Sequence, residues 1–333
     1  MSLLASEKIE WLSLLRGLNI ILVVMFHVQL IDLSTGENHP FCTQICEPFN
    51  LIRMPLFIFC SGGLLYISRI RKNWRIKKLY IDKVKRIVCP FLFFVTFYYV
   101  FKLLMNPFTK TKVVFSIGDF LESFCVYYQH PSAHLWFLAV LFWFMLLYPL
   151  FVWLSKSIIS MILFLLFTIV IFFIDFTPLS PENYFFLFTL NKYLVFFFFG
   201  IFFFRYELYK YLENYKACLV VTIFYIFSFL YEIPLVTSLL GILMMISICQ
   251  QIALLIPTLF ESFREYIYQI FLMSFIFQPF VELILWKKLF YNEDLFFLFY
   301  ILNVFCGIFF PVLIAKAIER SNLKWLKICI GLK

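Results

Sequence analysis

The chain has 333 residues, of which 64% are hydrophobic and 23% aromatic, and its mean hydropathy is +0.94. A water-soluble domain of this length cannot bury so much apolar surface, so the composition excludes a soluble globular protein and predicts one that is partly solvated by lipid. The net charge of +9 does not by itself indicate a nucleic-acid partner, and we expect none.

The first predicted membrane helix, 12–31, is apolar apart from Arg16, Asn19, His27 and Gln29. At about 100° per residue, eleven residues make roughly three turns, so Arg16 and His27 share one stripe, about 16 Å apart along the axis. Ionisable groups inside a span are costly and usually functional. In the alternative interpretation, Arg16 marks the helix end and His27 bonds a neighbour or reaches the interface. The shared stripe favours a functional pair.

Nine further apolar segments follow, each near the roughly 20 residues needed to cross a bilayer. The ten predicted spans are 12–31, 50–68, 88–105, 135–153, 158–174, 185–204, 217–231, 235–256, 266–286 and 295–315. With both termini in the cytoplasm, about three quarters of the Lys and Arg residues fall on the inner side, as the positive-inside rule requires. We therefore predict an all-α polytopic integral membrane protein, N-in and C-in, with a single domain over residues 1–333.

Two cysteines, Cys42 and Cys46, fall together in the first external loop. An oxidising exterior permits a disulfide between them, but the loop is short, so the bridged and the free forms both stay open. His39 is close in sequence. No second group of residues at ligand spacing completes a site, and we expect no metal.

The second span contains RMPLFIFCSGGLLY and carries notable residues at two depths. Arg53 lies at its outer end, where it faces either a polar cavity or the lipid headgroups. Ser61, Gly62 and Gly63 lie deeper, where small side chains let either another helix or a ligand approach the backbone. Arg53 and Ser61 are candidates for contact with a substrate.

The densest charge in the chain is RIRKNWRIKKLYIDKVKR, residues 69–86. Such a run is typical of positive-inside attachment to anionic lipid. That interpretation does not explain the placement of Lys83 and Arg86 at the mouth of the third span, where their spacing puts them on one face if the segment is helical. Two inward-facing cations can hold phosphate groups, so this pair is a candidate site for a phosphate-bearing cytoplasmic ligand.

The fourth span opens with HLWFL. Trp136 is either a member of an interfacial aromatic belt or a wall of a substrate site, where its face stacks on a sugar ring. His134 is interpreted as an interfacial residue. Other polar residues at membrane depth, such as Asn191, Glu282 and Asn303, either line a cavity or bond a neighbouring helix.

Taken in order, these motifs resemble the membrane acyltransferase-3 family, with the strongest match in the first 145 residues. The matching features are the pair Arg16 and His27, PLFIFCSGGLL in the second span, the basic pair Lys83 and Arg86 before Pro90, HLWFLAVLF at 134–142, and in part SFREYIYQIF at 262–271. The family often has a His shortly after the Tyr of the last motif. Here Tyr268 is followed by Gln269, so that role is not carried over.

The resemblance implies a ten-helix domain that moves acetyl from cytoplasmic acetyl-CoA to a hydroxyl of a cell-envelope glycan at the outer face. His27 would be the catalytic base or acyl-handling group, and Arg16 and Arg86 would hold the donor. Lys83 stands where the family usually has a second Arg. Lysine keeps the positive charge but cannot form the bidentate hydrogen bonds of a guanidinium group. Trp136 then becomes, with Arg53 and Ser61, a candidate acceptor contact.

A second class of function stays open at this point, a transporter or flippase for a glycan or lipid-linked precursor. Such a protein also needs polar groups within its helices. Inverted repeats and broken helices would favour it, and the sequence offers neither convincingly. The expected partners are a hydroxyl acceptor and membrane lipid, the expected location is the bacterial inner membrane, and the oligomeric state is not predicted.

Overall fold

A computed structural model describes residues 9–31, 38–108, 112–126, 132–176, 183–289 and 292–332. These residues are helical and contain no strand, only one isolated bridge between Ile31 and Asn38. The all-α prediction is confirmed for them. Their α-helices are α1 Glu10–Phe26, α2 Pro40–Gln44, α3 Asn50–Leu65, α4 Ile76–Lys83, α5 Cys89–Met105, α6 Ile117–Glu122, α7 Trp136–Leu146, α8 Tyr148–Leu154, α9 Ile158–Phe173, α10 Leu187–Arg205, α11 Tyr215–Leu230, α12 Pro234–Leu255, α13 Ile267–Phe280, α14 Phe296–Arg320 and α15 Lys324–Cys329.

Several of these helices have the length and apolarity of membrane spans. Within the described residues six helices qualify outright, and a seventh span arises if the bent pair α7 and α8 crosses as one. The helices α9 and α11 are apolar but shorter. The chain is therefore an integral membrane protein, while the count of ten spans and the N-in, C-in orientation stay predictions.

Contacts group the chain into two compact units. The first unit comprises 1–60 and 203–316, and the second comprises 61–202 and 317–333. We describe each unit by itself. The expectation of a single domain stays a prediction.

In the first unit, α1 packs against α12 and α13. Buried Arg264, just before α13, fixes the start of α1. Its guanidinium donates to the main-chain oxygens of Pro257 and Leu259, and Nη1 lies 3.1 Å from the Glu10 carboxylate. This bonding places the loop before α13 against the first turn of α1.

An aromatic core surrounds the chain that follows α1 in the first unit. Val28 and Leu30 are fully buried in a cluster that includes Trp286 and Phe296. The indole Nε1 of Trp286 donates to the Ile31 main-chain oxygen at 2.8 Å. The segment after α1 is therefore held by packing although it is not helical.

The helix that contains the third predicted span extends well beyond the apolar residues 88–105. One continuous helix of 30 residues runs from Ile76 to Met105 and includes a π turn at Val84–Val88. Pro90 explains that turn, because it lacks an N–H and its ring clashes with the carbonyl four residues earlier, so the helix widens just before it. The helix begins twelve residues before the predicted start at residue 88.

In the second unit, Gly62 of the second predicted span lies against another helix and not against an open space for a ligand. A Cβ placed on Gly62 would lie 2.0 Å from the main-chain oxygen of Phe197 in α10. The ring of Phe197 in turn packs on Phe144 and Phe151, with centroids 4.8 and 5.6 Å apart. Gly62 therefore serves close helix packing.

The fourth predicted span is broken, since α7 and α8 meet at 54°. Pro149, within the first turn of α8, disfavours a continuous helix there. Two tyrosines bridge the break to the basic segment. The Tyr80 hydroxyl donates to the Leu146 oxygen at 3.0 Å, and the Tyr148 hydroxyl donates to the Trp74 oxygen at 2.9 Å.

Candidate functional site

Arg16 lies in the second turn of α1 and is half-buried. Its charge is close to Cys60 of α3 in the same unit. Within the described residues no carboxylate lies within ion-pair distance of Arg16. The role of Arg16 in holding an acyl donor, which the family resemblance implies, stays a prediction.

His27 is the residue that ends α1. The helix stops at Phe26, so His27 is the C-cap and not part of the last turn, and the predicted helical stripe ends one residue before it. Its amide donates to the Val24 oxygen at 3.1 Å. The imidazole centroid lies 4.2 Å from that of Phe275 and 5.5 Å from that of Phe26. Arg16 and Phe26 are separated by about 15 Å along the axis.

The side chain of Arg53, a residue of α3, lies against the C-terminal end of α1. Its guanidinium carbon lies 3.2 Å from the centroid of the Phe26 ring, a close cation–π contact. The Arg53 main-chain oxygen accepts a hydrogen bond from Asn19 at 2.9 Å. Arg53 and His27 thus both contact the ring of Phe26. Asn19 bonds a neighbouring helix, one of the two alternatives stated for polar residues at membrane depth.

A polar network holds the chain on either side of His27. The Glu282 carboxylate accepts from the Gln29 amide at 2.8 Å and from the Asn303 side-chain amide at 3.1 Å. The side-chain amide of Gln278 donates to the Val24 oxygen at 2.9 Å. Gln278 of α13 and Glu282 of the π-helical segment Val281–Leu289 therefore hold the main chain on either side of the imidazole, and Asn303 of α14 in turn bonds Glu282. Nothing in the local sequence distinguishes Glu282 and Asn303 from other polar residues at membrane depth.

The basic segment of the second unit is organised around Asp82. Its two carboxylate oxygens bind Arg69 Nη2 at 3.2 Å and Arg86 Nε at 3.0 Å. Arg69 also stacks on Trp74, with the guanidinium carbon 3.4 Å from the ring centroid. Lys83 lies within electrostatic range of the same three charged groups. The structure therefore gathers three cations around one anion.

Arg69 and Asp82 were missed by the sequence reasoning. A signal was present, because Asp82 is the only acidic residue among residues 69–86. The predicted pair of Lys83 and Arg86 does come together, but across the change from α-helix to π turn, so helical spacing alone does not describe it.

Trp136 is buried, and its ring centroid lies 4.8 Å from that of Tyr193. His134 is partly buried and packs edge-on to Tyr98 with centroids 4.4 Å apart. Its place at the lipid interface stays a prediction. Ser61 is partly exposed beside the tightly packed Gly62. The roles of Trp136, Ser61 and Arg53 toward an acceptor stay predictions.

The thiols of Cys42 and Cys46 are free and buried. Across the described part of the chain, no group of three or more His, Cys, Asp or Glu side chains has the arrangement of a metal site.

Comparison with known proteins identifies the family. A family model described as an acyltransferase domain matches residues 9–320. The chain therefore belongs to the acyltransferase-3 family, and the resemblance drawn from its motifs is confirmed. No curated protein and no solved structure matches the chain.

Proposed function

We propose that this membrane acyltransferase transfers an acetyl group from acetyl-CoA to a hydroxyl group of a cell-envelope glycan, in the cytoplasmic membrane of a bacterium. The observation that supports this most directly is on α1: a half-buried Arg16 without a carboxylate partner among the described residues, and an imidazole, His27, at the end of the same helix. Family membership supplies the class of reaction.

The donor has two chemically distinct ends, and the chain offers partners for each. The cations around Asp82, namely Arg69, Lys83 and Arg86, suit the phosphates of a nucleotide-like head, because guanidinium groups bind phosphate through charge-assisted hydrogen bonds. Arg16 is a further anion-binding group. A pantetheine arm is long enough to follow the roughly 15 Å of α1 toward His27.

We assign the proton transfer of the chemical step to His27. The acceptor oxygen attacks the thioester carbonyl, a C–O bond forms, and the C–S bond breaks. The hydroxyl proton passes to the unprotonated ring nitrogen of His27, and the departing thiolate takes up a proton to leave as the coenzyme A thiol. Histidine suits this role because its pKa ordinarily lies near neutral pH. Transient acylation of His27 followed by attack of the hydroxyl gives the same products.

The test uses the purified full-length protein with radiolabelled acetyl-CoA and envelope glycan from the host. We expect label on the glycan, and a His27→Gln variant should lose at least about a hundredfold in rate. His39→Gln is the matched control, because His39 lies in the same unit, stacked on Phe296 at 3.8 Å, and has no assigned role. Equal activity of the two variants would remove His27 from the mechanism.

The same assay separates the two chemical routes and the two classes of function. Label that remains on the protein when no acceptor is present, and is absent from His27→Gln, would establish an acylated histidine. Glycan that crosses the membrane without any acetyl-CoA requirement would instead support a transporter. Mass spectrometry of surface glycans with and without the gene would identify the acceptor.

A further inference from the structure

The 30-residue helix from Ile76 to Met105 is longer than a bilayer requires. At 1.5 Å per residue it measures about 45 Å, whereas the hydrocarbon core is about 30 Å thick. About ten residues must therefore lie outside the hydrocarbon. The basic residues of this helix below residue 87 are Lys77, Lys78, Lys83, Lys85 and Arg86, so the protruding end is the N-terminal one.

The exposed surface of that end has a mixed character. Lys77, Lys78 and Lys85 are exposed, and between them Ile81 and Val84 are also exposed, at 51% and 44%. The apolar helix α9 differs from this end in the side chains that it exposes, which are all apolar. Interleaved Lys and aliphatic side chains suit a surface where tails and headgroups meet.

A second basic element lies beside the first in the same unit. The short helix α15 packs on α5 and on the π turn Val84–Val88. It exposes Lys324 and Ile328 together with Trp325, which is 60% exposed. A tryptophan at the boundary of tails and headgroups is typical of interfacial segments. We name eight exposed residues of the two helices the basic platform: Lys77, Lys78, Ile81, Val84, Lys85, Lys324, Trp325 and Ile328.

The basic platform has more cations than there are acidic residues near it in sequence. The sole acidic residue of 69–86 is Asp82, which is engaged by Arg69 and Arg86, and residues 321–332 contain none, although Glu319 lies just before them. The loop before α11 differs, because Lys210 there pairs with Glu207 at 2.5 Å and Glu213 is close in sequence. An excess of cations beside exposed aliphatic and indole groups complements a phosphate on an acyl chain.

We propose that the basic platform binds the headgroups of anionic phospholipids, with its lysines on the lipid phosphates and Ile81, Val84 and Trp325 among the upper parts of the tails. This binding is separate from acyl transfer and does not depend on the proposed reaction. It would fix the height of the long helix in the membrane, since the lysines stay at the phosphates while the apolar part spans the tails.

The test is native mass spectrometry of the full-length protein in a neutral detergent, with dioleoylphosphatidylglycerol or dioleoylphosphatidylcholine added at equal concentration. We expect preferential retention of phosphatidylglycerol. Replacement of one lysine from each helix, Lys77→Gln with Lys324→Gln, should reduce that retention about tenfold, because each cation near an anionic headgroup contributes appreciably and screening reduces the sum. Retention of phosphatidylcholine should not change.

Three controls decide the interpretation. Lys210→Gln with Lys216→Gln removes the same charge from the loop before α11 and from the first turn of α11, where Glu207 and Glu213 are close in sequence, and should leave phosphatidylglycerol retention unchanged. Lys77→Arg with Lys324→Arg keeps the charge and should retain the lipid. Saturating acetyl-CoA should not displace it. Equal retention of the two lipids by the native chain, an equal loss in the control pair, or displacement by acetyl-CoA would overturn the proposal.

Discussion

The carboxylate of Asp82 accepts a charged hydrogen bond from Arg86 Nε at 3.0 Å, one turn further along the same helix. This bond crosses the point where the α-helix changes to the π turn. The same carboxylate holds Arg69 from the end of the preceding helix. Without the carboxylate, the two guanidinium groups would repel each other. The spacing of the proposed phosphate-binding cations is therefore set by one acidic side chain.

Asp82→Asn keeps the size of this side chain and removes its charge. We expect the KM for acetyl-CoA to rise about five- to tenfold with kcat changed by less than about twofold, because donor binding loses its arranged cations while the reacting groups stay in place. Steady-state kinetics with acetyl-CoA as the varied substrate measures both constants. Asp119→Asn, an exposed aspartate of the same unit, is the control. An unchanged KM would show that the cluster does not hold the donor.

Glu282→Leu leaves the Gln29 amide and the Asn303 side chain without their acceptor. The main chain after His27 then loses its fixed position, and we expect kcat to fall about tenfold with an unchanged KM for acetyl-CoA. Glu282→Gln is the matched variant, since its amide oxygen still accepts from Gln29, and it should stay within about threefold of the native rate. If both variants lose activity equally, the carboxylate charge and not the hydrogen bond is what the site needs.

Gly62→Ala tests the close approach of α3 to Phe197 in the second unit. The added methyl group would lie 2.0 Å from a main-chain oxygen, so the helices must shift, at a cost of about 1–3 kcal/mol or more. Thermal unfolding of the purified protein should show a clearly lower midpoint. Gly118→Ala is the comparison, because its nearest neighbour would be at an ordinary 3.5 Å. Equal midpoints for the two variants would contradict the packing role.

Arg264 and Glu10 should respond unequally to truncation. The Arg264 side chain is 5% exposed and the Glu10 side chain 48%, so the ion pair itself is partly screened by solvent. Glu10→Ala should cost less than about 1 kcal/mol, whereas Arg264→Ala also removes the hydrogen bonds from a buried guanidinium to the oxygens of Pro257 and Leu259 and should cost more, about 1–3 kcal/mol. Unfolding midpoints measure the difference. Comparable losses in both variants would mean that the ion pair, and not the carbonyl contacts, holds this loop.

Local sequence predicted the helices well and their ends less well. The apolar run from Leu12 identified α1, but not its end at Phe26, because the segment after it is held by Glu282 and Trp286, about 250 residues away in sequence. Long-range contacts of this kind leave no local pattern. The third helix was predicted to begin at residue 88 because hydropathy does not detect a polar first part, although a helix continues through it.

The candidate site shows the same limit. Arg16, His27, Lys83 and Arg86 were visible because charged or ionisable groups at membrane depth are rare. Arg69 could not be distinguished from the other basic residues of 69–86 by sequence, because what sets it apart is its contact with Asp82 and with the ring of Trp74. Which member of a basic run is engaged is decided by its partners in the folded chain.

The break between α7 and α8 has a mechanical consequence. Its two flanks are tied to the basic segment at separate points, through the Tyr80 hydroxyl on Leu146 and the Tyr148 hydroxyl on the main chain of Trp74. While both hydrogen bonds are in place, the angle between α7 and α8 and the position of the Trp74 ring, on which Arg69 stacks, must change together. A shift of the Arg69 guanidinium is therefore coupled to the bend between α7 and α8.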